Sequence, residues 1–108
     1  MLDWSVVPSE EVYPGITRQT VQGERSTVVR YVYQAGALFP RHAHPEEQTT
    51  VVLSGRITFF ADGREIALAA GQSLIVPPNV PHGARVEGAD AVETINVLAP
   101  RRERQPGR

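Results

Sequence analysis

Regularly spaced turns are the feature that most limits what this chain can fold into. Short runs of β-branched and aromatic residues recur at spacings of roughly eight to twelve residues, and a glycine or an Asp-Gly pair separates most of them. Such runs are typical of strands, whereas no stretch shows the sustained apolar period of an amphipathic helix. The pattern therefore predicts an all-β sandwich or barrel in a single domain.

The predicted strands follow one another with little chain between them. They cover residues 16–22, 26–34, 48–53, 56–60, 64–69, 73–76, 82–87 and 91–98. The segment Ala61-Asp62-Gly63 has the composition of a hairpin turn. We expect residues 1–25 to form an N-terminal arm with an edge strand, residues 26–100 to form the barrel, and residues 101–108 to form a charged tail.

Two of the central predicted strands are apolar on both faces. Residues 49–53 and 57–60 carry apolar side chains at odd and even positions alike. One face would fill the barrel, and the other needs a cover, which either the N-terminal arm or a second subunit could supply. We expect a homodimer.

The composition excludes several kinds of chemistry and partner. All eleven basic residues are arginines, and the chain has no cysteine, so Schiff-base lysines, disulfides, thiol nucleophiles and iron–sulfur clusters are excluded. A formal net charge of −1 argues against a nucleic-acid partner. Because no apolar run resembles a membrane span or a signal peptide, we expect no membrane partner and a cytoplasmic location.

The histidines are arranged as metal ligands would be. The chain has three: His42 and His44 are separated by one residue, and His82 follows the proline-rich run 77–81. Side chains two residues apart on a strand face the same way, so the first two imidazoles could reach one point. Gln48 has the same parity and could bring an oxygen there after a turn. Three nitrogens and one oxygen predict a site for one divalent metal ion, with these four side chains as its ligands.

The ligand set indicates the chemistry better than it indicates the metal. Sites with three nitrogens and one oxygen accept zinc, nickel, manganese, iron or copper, among which we favour zinc or nickel. Four neutral ligands leave the double charge of the ion uncompensated, so it should attract anions and polarise a substrate oxygen. One or two coordination positions would stay open for that substrate.

Two spaced motifs make the chain similar to the cupins. The residues in register with the first cupin motif are Gly36, His42, His44 and Gly55, with Gln48 where an acid usually stands. The residues in register with the second are Gly71, Pro77 and His82, with Asn79 in place of a glycine and Val86 in place of an asparagine. Asparagine, like glycine, tolerates a positive φ. The resemblance covers residues 26–98 and implies a cupin double-stranded β-helix, or jelly-roll, barrel.

Within the cupins, the chain resembles two groups. The strings at 42–48 and 79–83 are similar to the small cupins that open cyclic unsaturated uronates and to the polyketide cyclases that use three histidines and a glutamine. The ending 96–103 is also similar to the first group, in which an aspartate and an arginine handle protons and the substrate carboxylate. Arg102 stands at the arginine position and Asn96 at that of the aspartate. An amide cannot accept a proton as a carboxylate does, so the general-base step loses its obvious carrier, and either another group takes that role or the protein does something else.

Three functions are compatible with this pattern. The first is a metal-dependent isomerase, tautomerase or cyclase that acts on a small anionic oxygenated molecule, uronate-like or polyketide-like, with Arg102 and Asn96 as catalytic-site residues. The second is an iron- or nickel-dependent dioxygenase, and the third is a small-molecule-binding protein without catalysis, which Asn96 favours. Arg102 could instead belong to a solvated tail. We expect Glu46 and Glu47 to lie exposed at a strand entrance.

Overall fold

The chain is built almost entirely of strands. The computed structural model describes residues 2–103, and a short 3₁₀ helix, Trp4–Val6, precedes the first strand. The strands are β1 (Ser9–Tyr13), β2 (Ile16–Gln22), β3 (Thr27–Tyr33), β4 (Leu38–His42), β5 (Glu47–Ser54), β6 (Arg56–Ala61), β7 (Arg64–Ala69), β8 (Ser73–Val76), β9 (His82–Arg85) and β10 (Val92–Ala99). The predicted all-β class is thereby confirmed. Across residues 2–103, none of the helical structure has the length and apolar character needed to cross a membrane.

Two antiparallel sheets form the barrel. The larger sheet has six strands in the order β1-β2-β3-β10-β5-β8, and the smaller has four in the order β4-β9-β6-β7. The chain passes repeatedly from one sheet to the other, so neighbours within a sheet are mostly distant in sequence. This is the predicted jelly-roll arrangement. It allows residues from both motifs to meet between the sheets.

The predicted strand bounds agree with the observed ones to within two residues where both exist. β1 is the edge strand expected in the N-terminal arm. β4 has no counterpart among the predicted strands, because Pro40 and Arg41 interrupt its apolar pattern. The division into arm, barrel and tail remains a prediction, although β1 and β2 extend the same sheet as β3.

Positive backbone angles occur at the turns that the composition indicated. Asp62 and Gly63 have φ values of 52° and 73°, which closes β6 and β7 into a hairpin of the type that needs two left-handed residues. Asn79, with a φ of 66°, adopts the conformation for which the second motif normally uses glycine. Gly55 combines a φ of 82° with crowding, because a Cβ there would lie 2.5 Å from the backbone oxygen of Ala91.

The core lies between the inner faces of the two sheets. β3 shows why the sequence folds this way: Thr27, Val29, Tyr31 and Tyr33 are buried, and the residues between them are only half-buried. The inner face is not wholly apolar. Buried polar side chains on the large sheet include Gln48, Thr50, Thr94 and Asn96. Buried polar groups need partners, so this part of the interior is a candidate for function.

Candidate metal centre

The three histidines meet between the two sheets, as the motif spacing predicted. His42 ends β4 and His82 begins β9, and these two residues are directly paired in the small sheet. His44 lies in the segment that leads into β5 of the large sheet. The ligand atoms of the three imidazoles all lie within 4.8 Å of one another. These three side chains could therefore hold a metal ion.

A bulge in β4 turns the first histidine inward. Phe39 pairs with Ala84 and His42 pairs with His82, so β4 uses one more residue than β9 over this interval. Without the extra residue, side chains three positions apart would point to opposite faces of the sheet. With it, both Phe39 and His42 face the interior, and their rings lie 4.9 Å apart. The bulge thus aims an imidazole at the centre.

His44 reaches the site as predicted, but for a different structural reason. Strand parity predicted His42 and His44 on one strand, but β4 ends at His42 and His44 follows it in a loop. That loop is tied to the second motif, because the backbone N–H of Asn79 donates to the carbonyl of His44 over 2.8 Å. The two motifs are therefore held together beside the site.

Each imidazole is oriented by a backbone carbonyl. The Nδ1 atoms of His42, His44 and His82 lie 3.0, 3.1 and 2.9 Å from the carbonyl oxygens of Pro40, Glu46 and Val80. A carbonyl oxygen can only accept, so each Nδ1 carries the proton and each neutral ring keeps a lone pair on Nε2. This is the tautomer and the support that metal-binding imidazoles require.

Burial keeps these rings neutral. It lowers the pKa of all three imidazoles, and it lowers that of His82 to about 4. The guanidinium of Arg102 acts in the same direction on each ring, with its clearest effect at His44. Hydrogen bonds to the backbone carbonyls oppose the effect only in part. Neutral imidazole is the form that binds a metal ion.

Gln48 completes the set of donor atoms. Its Oε1 lies 3.1 Å from Nε2 of His44 and 3.2 Å from Nε2 of His82. Three Nε2 lone pairs and one amide oxygen thus face a common point without a proton to share between them. Such a set of acceptors is satisfied by a cation, so the residues present fit a divalent metal ion. Direct ligation by Gln48 remains a prediction.

A cavity opens beside these side chains. It has about 360 Å³ of free space when its open mouth is included, of which only about 20 Å³ is open to the centre of a water molecule. Its apolar wall is mainly aromatic, with Tyr31, Tyr33, Phe39 and Phe59. Its polar lining consists of His42, His82, Gln48, Asn96 and Arg102. The two predicted catalytic-site residues and three of the four predicted ligands therefore line one cavity.

Arg102 is buried in the site and does not behave as part of a solvated tail. It is only 3% exposed, its backbone N–H donates to Thr27 over 2.9 Å, and its carbonyl accepts from Gln22. Its Nε lies 3.2 Å from the carboxylate of Glu46. The neighbouring Arg101 is exposed. Residues 104–108 of the predicted tail lie outside the described residues.

The expectation for Glu46 was wrong. Glu47 is exposed as expected, but Glu46 is only 9% exposed. Its carboxylate lies 3.2 Å from Nε of Arg102 and 3.4 Å from Nδ1 of His44. Two adjacent glutamates are indistinguishable by type, and only their alternation along the strand entrance could have indicated that one of them faces inward. Glu46 links the arginine to a predicted metal ligand.

Asn96 is fully engaged in hydrogen bonds. Its Nδ2 donates to the carbonyl of Val29 over 3.2 Å and to the hydroxyl of Thr94 over 2.9 Å. Its Oδ1 accepts from Thr50 over 2.6 Å. Asn96 lines the cavity as predicted, but these contacts are those of a structural amide. They give it no proton to exchange with a substrate.

Sequence reasoning also missed a buried arginine behind the cavity wall. Arg18 on β2 is 1% exposed and pairs with Glu10, with an Nη2 to Oε1 distance of 2.8 Å. Arg18 and Tyr31 are paired in the sheet and their side chains are hydrogen bonded. Burial raises the pKa of Tyr31, and Arg18 opposes this effect. The phenol therefore keeps its proton at neutral pH, and Tyr31 is among the residues that line the cavity.

Curated and solved proteins resemble this chain over most of its described length. The H2HPP isomerase of Bacillus subtilis is 34% identical over 79 residues, which is 72% of this chain and 33% of that protein. The chain thus spans about a third of the length of that relative.

Two solved structures share the whole architecture. An RmlC-like cupin from Shewanella frigidimarina superposes with a TM-score of 0.87 at 29% identity, covering 95% of this chain and 92% of that one. KdgF from a Halomonas species gives 0.81 at 26% identity, covering 89% and 88%. The family model described as the cupin domain matches residues 29–98. Both motifs, the barrel and the three converging histidines agree with that match, and the chain therefore belongs to the cupin family.

Proposed function

We propose that this cupin is a metal-dependent isomerase, tautomerase or cyclase that acts on a small anionic oxygenated molecule. The observation that carries the proposal is the convergence of three neutral imidazole nitrogens and an amide oxygen in a cavity that also holds Arg102. Ligands without charge leave the full charge of a divalent ion to act on an anion. The name of one similar protein, the H2HPP isomerase of which this chain spans about a third, also supports the proposal.

The residues of the cavity suggest a division of roles. A divalent ion held by the histidines and Gln48 would supply Lewis-acid polarisation of a carbonyl or hydroxyl oxygen. Arg102 would bind the substrate carboxylate, because a guanidinium is matched in shape and charge to that group. The protonated hydroxyl of Tyr31 could donate a hydrogen bond to a second oxygen. The aromatic wall would exclude water from the carbon skeleton.

A non-catalytic binding protein is the second candidate. The observation that favours it is Asn96, whose amide is fully engaged and which cannot act as the base that the aspartate supplies in uronate-opening cupins. The same cavity would then hold its ligand without converting it.

The two candidates are separable in one experiment. The metal content of protein purified without added ions is measured first, and the protein is then incubated in D₂O with an unsaturated uronate and with an enolisable 2-keto acid. Proton NMR would show ring opening of the uronate or exchange of deuterium into the keto acid. Saturable binding without either change, over a long incubation, would favour the binding protein. Oxygen consumption by iron-loaded protein would instead indicate a dioxygenase.

Arg102 and Arg101 form a matched pair of variants for the substrate assignment. We expect Arg102→Ala to lower kcat/KM by at least about tenfold, because a buried charge contact with a substrate carboxylate is typically worth more than 1.4 kcal/mol. Arg101→Ala, an exposed neighbour, should leave kcat/KM unchanged. Circular dichroism would show that both variants are folded. If the two variants are equally active on every substrate that the protein converts, Arg102 does not bind the substrate.

A further inference from the structure

A line of hydrogen bonds runs across the large sheet and ends at the predicted metal centre. Asn96 on β10 is paired with Val29 on β3 and with Thr50 on β5. Gln48 lies two residues before Thr50 on β5, so both side chains face the interior. The sheet register therefore places the three polar side chains side by side. We refer to Gln48, Thr50 and Asn96 as the positioning chain.

The direction of every hydrogen bond in the positioning chain follows from one backbone carbonyl. The carbonyl of Val29 can only accept, so the atom of Asn96 that lies 3.2 Å away is the amide nitrogen. This turns Oδ1 of Asn96 toward Thr50, 2.6 Å away. Because Oδ1 also only accepts, the hydroxyl of Thr50 is the donor of this hydrogen bond and Asn96 is the acceptor.

The hydroxyl of Thr50 in turn fixes the orientation of the Gln48 amide. The hydroxyl of Thr50 has no second proton, so it can only accept from Gln48, and the group that faces it at 2.9 Å is the amide nitrogen. The oxygen of Gln48 is left to face Nε2 of His44 and Nε2 of His82. The alternative orientation would point the amide hydrogens at the metal position.

We infer that Thr50 and Asn96 are positioning residues that hold the oxygen of Gln48 toward the metal ion. This inference rests on the metal site of the proposed function and extends it to residues that contact neither metal nor substrate. It also explains an asparagine at position 96: an amide supplies the donor to Val29 and the acceptor to Thr50 at once. The direction of the hydrogen bonds in the positioning chain is thus set at Val29, in the middle of the sheet and away from the metal position.

Metal affinity gives the first test. Zn²⁺ and Ni²⁺ dissociation constants are measured by competition with a chromophoric chelator for the natural protein and for Thr50→Val, Thr50→Ser and Thr49→Val. We expect Thr50→Val to weaken binding by about 10- to 100-fold, the usual effect of removing a group that orients a ligand. Thr50→Ser keeps the hydroxyl and should bind as the natural protein does. Thr49→Val makes the same change on the outer face and should have no effect.

Variants at position 96 give a second, chemically different test. Asn96→Leu removes both the donor and the acceptor of this amide and should weaken binding as much as Thr50→Val. Asn96→Asp loses the donor to Val29 but keeps an oxygen that accepts from Thr50, so the direction of the positioning chain survives and the affinity should fall less than in Asn96→Leu. A loss of affinity caused by general damage to the fold would not be rescued by serine at 50 or by aspartate at 96.

Spectra that do not depend on affinity complete the design. In Cu²⁺-loaded protein, Thr50→Val should change the electron paramagnetic resonance parameters, whereas Thr49→Val should not. In metal-free protein, the side-chain amide signals of Gln48 should move in the nitrogen–proton spectrum of Thr50→Val. If Thr50→Val and Asn96→Leu bind metal as tightly as the natural protein and their spectra are unchanged, the inference about positioning residues is wrong, whereas the proposed function is unaffected. Failure of the natural protein to bind any divalent metal would overturn both the inference and the proposed function.

Discussion

At the scale of the residue, the site depends on side chains whose neighbours limit them to one state. Each imidazole has its Nδ1 committed to a backbone carbonyl, and the Gln48 amide has its nitrogen committed to Thr50. Arg102 and Glu46 bring opposite charges into the interior next to these neutral groups. A buried ion pair costs desolvation, so its presence beside the cavity is more readily explained by function than by stability.

Glu46 and Glu47 allow the buried charge to be tested with an internal control. We expect Glu46→Gln to lower the free energy of unfolding by about 1 to 3 kcal/mol, because the variant removes the buried carboxylate that faces Arg102 and leaves the guanidinium with a weaker acceptor. Glu47→Gln changes an exposed side chain and should alter stability by less than about 0.5 kcal/mol. Urea unfolding followed by circular dichroism measures both values. Similar stabilities for the two variants would contradict this role of Glu46.

The pKa of His82 predicts how the metal-free protein responds to acid. The unfolded imidazole titrates near 6.5, whereas the folded one titrates at about 4, so the unfolded state binds more protons between these values. Stability should therefore fall as the pH is lowered through this window. Between pH 7 and pH 5 the expected loss from His82 is roughly 2 kcal/mol. Urea midpoints of chelator-treated protein at the two pH values measure it. A His82→Asn variant should lose much of this dependence, and an unchanged profile would contradict the prediction.

At the scale of the element, irregularities in the strands matter more than their regular parts. The bulge in β4 brings His42 to the inner face, and the turn after β5 brings Gly55 against the segment that leads into β10. Both features stand next to residues of the first motif. The alternation of the strands builds the barrel, and these interruptions aim the side chains that give it a site.

Gly55 and Gly71 allow the two reasons for a glycine in a turn, a positive φ and a lack of space for a side chain, to be tested separately. Both have positive φ, at 82° and 87°, but only a Cβ at position 55 meets neighbouring atoms. We expect Gly71→Ala to cost about 1 kcal/mol, from backbone strain alone, and Gly55→Ala to cost about 3 kcal/mol or more, because strain and steric overlap add. Thermal or urea unfolding gives both values. Equal losses would mean that the segment around Ala91 can move aside.

At the scale of the whole molecule, the outer face of the large sheet has an apolar stripe. Its side chains are half-buried, apart from the exposed Ile75, which is 59% exposed. Its members are Val21, Val28, Val97, Ile95, Val51 and Ile75. Cross-strand pairing joins Val21 to Val28, Val28 to Val97 and Ile95 to Val51, and the polar Thr49 lies between Val97 and Ile75. In the described part of the N-terminal arm, β1 lies at the edge of this sheet, and the carbonyls of Trp4 and Val7 accept from Gln19 of the neighbouring β2. We therefore propose that a second copy of the chain covers the stripe.

A charge placed in the stripe would test the proposed dimer. Ile95→Glu lies near its centre and should convert a dimer into a monomer, because the buried carboxylate would meet its symmetry mate or an apolar surface. Ala67→Glu makes a comparable change on the small sheet at an exposed position and should leave the oligomeric state unchanged. Sedimentation velocity at several concentrations distinguishes the two states. A natural protein that is monomeric at high concentration would contradict the proposal.

Much of this protein could be predicted from sequence because the relevant signals are local. Alternating residues and turn glycines indicated most strands, and the spacing of His42, His44 and His82 within two motifs indicated that they converge. Strand parity and turn conformation are set by nearest neighbours, so a single sequence contains them. The bulge in β4 was not predictable, because it is defined by the number of residues on the opposite strand.

The sequence by itself determined the strand pattern, the turns and the identity of the groups available to bind a metal. Only the tertiary structure decided how those groups are used: that Glu46 is buried and Glu47 is not, that Arg102 packs into the interior, and that Asn96 links to Gln48 through Thr50. These outcomes depend on the register between strands that are far apart in the chain. Register is fixed by the packing of the whole barrel, and no short stretch of residues carries that information.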